Sequence, residues 1–129
     1  TSTMIWVARI AGTLVFLFTF VLGASALINP DRAAETLGFA PLSDMGRNSL
    51  RADIAAFAWG SALLSAGGLF AGRPHWFFGA AILFAIAVSG RILDVIVSGP
   101  PEGAVPAIVV ELIAVALALL AAKWLPSRV

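Results

Sequence analysis

Five of the charged residues inside otherwise apolar stretches of this chain could act together: Arg51, Asp53, Arg91, Asp94 and Glu111. Charge inside a membrane helix costs about 2.5–3.5 kcal/mol on insertion scales, and such residues usually face a bundle interior and pair there. Two uses are open to them. Paired completely, the five would only lock neighbouring helices together. With three acids against two arginines, however, one carboxyl lacks a cation and is free to hold a proton. A protonated carboxyl beside a carboxylate makes a general acid/base pair suited to a lipophilic substrate. Glu111 is assigned that surplus role, with Asp53 and Asp94 as the arginine partners, so the candidate catalytic residues are Glu111, Asp53 and Asp94. Arg51, Arg91, Trp59 and Asn48 are the candidate ligand contacts. The arginines suit an anionic head group, and Trp59 either floors the pocket or packs against lipid.

Other chemistries find no support. There are no cysteines, which removes disulfides and thiolate metal sites. The one histidine, His75, cannot form a multi-histidine site; it stands beside Trp76, away from the acids, and reads as interfacial. No metal and no cofactor are expected. Ser61, Ser65 and Ser89 have no histidine partner, and "GSALLSAGG" lacks the lysine and strand context of a phosphate loop. No basic tract interleaved with aromatics points to nucleic acid.

The elements that must position these residues are membrane helices. Hydrophobic residues make up 60% of the 129 and charged ones only 12%, with a mean hydropathy of +1.00, far from a soluble average. Four apolar segments, about 5–28, 50–71, 76–97 and 106–124, each approach the roughly 20 residues that cross a hydrocarbon core. They are apolar on most faces, which fits helices rather than the alternation of a barrel. Asn29-Pro30, Gly72-Arg73-Pro74 and "SGPPEGAVP" break them, with Pro106 in a first turn where its missing N–H costs little. "DRAAETLGF" reads as a short interfacial helix capped by Asp31. "ASA" at Ala24–Ala26 is like a signal-peptidase site, but the apolar run before it is long for a signal, so the segment reads as a retained helix. The expectation is an all-α, antiparallel bundle of four transmembrane helices over residues 1–129, with a short interfacial helix in the first long loop.

Four crossings put both termini on one side, here side A, and the two longer connections on side B. Arg9, Arg73, Lys123 and Arg128 lie toward side A with no acid among them; all seven acids lie toward side B. Discounting Arg51 and Arg91, which stand within helices, the Lys and Arg count makes side A cytoplasmic. Arg51, Asp53, Arg91, Asp94 and Glu111 then share a slab roughly 5–12 Å inside the side B boundary. Ala87, Arg91, Asp94 and Ser98 form one stripe of the third helix, and Ala107, Ala114 and Ala118 surround Glu111 with small residues. On the second helix, Ala52, Ala56 and Gly60, Ser61 and Ser65, and Gly68 and Gly72 are small at four-residue spacing, which allows close helix approach.

In order and spacing, "INP" at 28–30, "LRADI" at 50–54, "GRILDVIVSGP" at 90–100 and "VELIA" at 110–114 resemble a bacterial domain-of-unknown-function family of four-helix membrane proteins, loosely DoxX-like. The resemblance implies the architecture, a bacterial inner membrane, and Arg51, Arg91 and Glu111 as typical polar positions. It implies no activity. The functional expectation is a protein that binds, and as an enzyme would transform, a lipophilic small molecule in an intramembrane polar pocket near the periplasmic side. Isomerisation, cyclisation or epoxide opening would suit carboxylates without a cofactor. The alternative is a structural or accessory subunit whose ion pairs only fix packing and whose small faces dock a second copy or a partner membrane protein. A proton or ion pathway is disfavoured, since the side A half offers no matching ionisable residues.

Overall fold

The computed structural model describes residues 2–128 and is helical throughout, with no strand among the described residues. Four long helices form the antiparallel bundle expected from the sequence, and each is long and apolar enough to cross a membrane. They are α1 (Ser2–Ile28), α3 (Asp44–Phe70), α4 (Phe77–Ser98) and α5 (Ala104–Trp124); α2 (Pro30–Leu37) lies between the first two. Helix α1 packs against α3 and α5, α5 against α4, and α4 closes the ring on α3 with its smallest contact.

Local chemistry sets the boundaries. Pro30 cannot continue α1 and instead opens α2 at its first position. The cap of α2 is Asn29, whose side chain accepts from the Arg32 N–H at 3.3 Å, rather than Asp31. With Pro30 as the first helical residue, Asp31 already lies in the first turn, where its charge faces the helix dipole. Gly38, at φ 81°, ends α2 in the left-handed conformation that favours glycine. Helix α3 starts six residues before its apolar run, because Ser43 caps it by accepting from the Gly46 N–H at 3.0 Å. At about 1.5 Å per residue, 27 residues span roughly 40 Å against a hydrocarbon core of about 30 Å. The two polar turns Asp44–Ser49 therefore extend the helix beyond the span that starts at Leu50. Arg47 in this extension donates to Asp31 and to Asp44, both at 3.1 Å, and ties α2 to the start of α3. Helix α4 is preceded by a 3₁₀ turn at Pro74–Trp76, and Pro106 stands in the first turn of α5 as expected.

In lipid, helices gain little from the hydrophobic effect and associate by close packing. The interior accordingly combines small residues with two phenyl rings, Phe77 and Phe84, both buried. Phe77 enters a notch between α1 and α3 where a Cβ on Gly12 or Gly68 would overlap its ring. The packed face of α3 is Ala58, Ser61, Ala62, Ser65 and Gly68; Ala52 and Ala56 are exposed and nothing approaches Gly60. Both faces are small, and residue size alone does not distinguish them. Buried hydroxyls are satisfied within their own helices: Thr19 donates to the Val15 carbonyl, Ser61 to Phe57 and Ser65 to Ser61, all at 2.8 Å.

Candidate functional site

Arg91 on α4 and Glu111 on α5 meet across the helix interface, with Nε donating to Oε1 at 2.5 Å. Each stands seven residues from its helix end at side B (Ser98 and Ala104), a depth of about 10 Å for both. The connection 99–103 is short and turns through two glycines at positive φ, Gly99 and Gly103, so α4 and α5 are neighbours in register. Glu111 is nearly buried, its side chain 11% exposed against 37% for Arg91. It belongs to an inward stripe with Ala114, Ala118 and Ala121; of the small residues expected around it, Ala114 and Ala118 are buried and Ala107 is half-buried.

Above this pair, toward side B, opens a cavity of about 760 Å³. Its walls are Ala87, Gly90 and Asp94 of α4 and Ala104 and Ala107 of α5. One rim is the Pro101–Gly103 turn with Glu102; the other runs from the end of α2 into the loop beyond it, Glu35 to Phe39. Helix α2 rests on α1 and α3 through Pro30, Ala33 and Ala34, so the cavity lies between its far end and the α4–α5 pair. The lining carries four carboxylates, Glu35, Asp94, Glu102 and Glu111, and one cation, Arg91, which Glu111 already engages. Among the described residues no ion pair reaches Asp94, Glu35 or Glu102. An open cavity with small-residue walls, a neutralised floor and unpaired acids at the wall and rims is suited to cations and hydrogen-bond donors. Among the described residues, no group of three or more His, Cys, Asp or Glu is arranged to hold a metal ion.

The structure thus gathers Arg91, Asp94 and Glu111 but not the rest of the expected layer. Glu111, expected to be the surplus acid, is instead the arginine partner, and Asp94 is the acid left over. Arg51 is exposed on α3 with no ion pair among the described residues. Asp53 borders a separate, smaller hollow of about 470 Å³ with Leu50, Pro41 and Phe39; Phe39 borders both hollows. Asn48 is exposed on the polar extension of α3 and lines neither. Trp59 is not the pocket floor: its indole N–H donates to the Phe20 carbonyl at 3.0 Å, and the ring stacks on Phe20 at 5.6 Å. Gly23 makes this possible, because a Cβ there would overlap the indole. Sequence reasoning missed Glu35 and Glu102 as pocket residues. Their signal was the punctuation beside them, Gly38 after Glu35 and Pro101 and Gly103 around Glu102, which marks chain turning back at side B. Compared with family models, with curated proteins and with solved structures, the chain has no match, and the site must be read from its own geometry.

Proposed function

We propose that this membrane protein binds a lipophilic small molecule whose polar end carries a cation or hydrogen-bond donors, seated in the side B cavity. The observation that carries this reading is Asp94: among the described residues it is a carboxylate without an ionic partner, on the wall of a cavity whose one arginine is already paired. The balance of four acids to one cation favours that class of head group over an anion. If the bound molecule is also transformed, proton transfer falls to Asp94, and Glu111 serves to hold Arg91 and the α4–α5 register. The resemblance to DoxX-like four-helix proteins supports a bacterial inner membrane, and the Lys and Arg count supports cytoplasmic termini with the cavity toward the periplasm.

Native mass spectrometry of the purified protein, with Asp94→Asn compared to the parent, tests the reading. A co-purifying lipophilic molecule on the parent, reduced at least about tenfold in Asp94→Asn at unchanged melting temperature, is the expected result. A parent protein with nothing bound, or retention equal in the variant, would sink it. The accessory-subunit reading draws on a different observation, the Arg91–Glu111 bridge between two membrane-length helices. It predicts that Glu111→Gln loosens the fold while Asp94→Asn changes nothing.

A further inference from the structure

The opposite end of the molecule carries a second hollow. A cleft of about 470 Å³ opens there between α1, the last turn of α3 and the C-terminal segment after α5. Arg9 and Arg128 line it, and among the described residues no acid does. Its walls are apolar: Trp6, Leu69, Phe70, Leu125 and Pro126. Arg128 is held in place by the backbone. Its N–H donates to the Gly72 carbonyl at 3.1 Å and its Nη2 to the Phe70 carbonyl at 2.5 Å, which leaves most of the guanidinium donors uncommitted. Gly72, at φ 68°, lies so close that a Cβ would press on the Arg128 side chain. The Arg9 guanidinium lies 5.2 Å above the Trp6 ring. The surroundings repeat the pattern: Arg73 lies 5.5 Å from the Trp76 ring and Lys123 5.4 Å from Trp124. Cations resting on tryptophans mark the level where hydrocarbon gives way to head groups. Phe70 of the cleft wall and Ile10 of α1 are both largely exposed apolar side chains.

We propose that this cleft binds the phosphate of an anionic phospholipid between Arg9 and Arg128, with the acyl chains lying along the exposed faces of α1 and α3. Two guanidinia are matched to phosphate oxygens in charge and in hydrogen-bonding geometry. The apolar walls select an anion that carries hydrocarbon.

The test uses the full chain in non-ionic detergent, supplied with equal amounts of phosphatidylglycerol and phosphatidylcholine, with retained lipid counted by native mass spectrometry. Phosphatidylglycerol is expected to dominate, and Arg9→Gln and Arg128→Gln each to lower its retention about fivefold. Arg9→Gln is the safer variant, since Arg128 also braces the chain end. Arg73→Gln, on the same side but outside the cleft, is expected to leave retention within about twofold. Equal retention of the two lipids, or no effect of Arg9→Gln, would overturn the proposal. So would an Arg73→Gln loss as large as that of Arg9→Gln, which would make the binding a diffuse surface effect. Displacement of the lipid by low-millimolar inorganic phosphate would assign the cleft to a soluble anion instead.

Discussion

Arg91 and Glu111 neutralise each other about two turns inside their helices, and that proximity carries a measurable cost when broken. Glu111→Gln removes the carboxylate and leaves a half-buried guanidinium without its counter-charge. We expect a loss of about 1–3 kcal/mol, read as a lower melting temperature in detergent. Replacing both partners with leucine should recover much of that loss, because a paired charge and a well-packed apolar pair are often close in stability. The pairing itself was partly legible. The depth of each charge is set by its distance to the nearest helix break, and this places Arg91 and Glu111 at one level. The azimuth of Arg51 and Asp53 is not set that way, since α3 is small-residued on two faces and only packing decides which turns inward. Counting acids against arginines assigns the surplus to Glu111, where adjacency of α4 and α5 assigns it to Asp94.

Glycine position, more than glycine content, governs how these helices meet. Gly68 has the Phe77 ring where its Cβ would be, whereas Gly60 on the same helix faces open space. Gly68→Val is expected to destabilise by about 1–3 kcal/mol through overpacking. Gly60→Ala should be neutral or stabilising by up to about 1 kcal/mol, the ordinary helix-propensity gain; thermal melts of the two variants check the pair. The spans themselves were legible because lipid demands long apolar helices, and the segments near 76–97 and 106–124 agree with α4 and α5 to within two residues. The polar start of α3 was not, because hydropathy is silent about helix outside the hydrocarbon. Its signal was Ser43, a capping residue immediately before the helix begins. At α2 the cap moves from Asp31 back to Asn29, because Pro30 already opens the helix.

Across the whole molecule, charge is sorted by end: acids and their cavity at side B, acid-free cations at side A. Four crossings require that the Arg73 turn and the Glu102 turn face opposite compartments. Because the chain has no cysteine of its own, Arg73→Cys and Glu102→Cys each provide one labelling site. A membrane-impermeant maleimide applied to sealed vesicles is expected to reach one and not the other; labelling of both from one face would refute the topology. The tryptophans are sorted as well, and this decides what light can report. Trp6, Trp76 and Trp124 stand at side A beside their cations, Trp59 is stacked on Phe20, and none borders the acidic cavity. Intrinsic emission is therefore nearly blind to a guest beside Asp94. It reads the basic end, where Trp6 forms part of the cleft wall, so a spectral change on adding lipid identifies which end of the protein has responded.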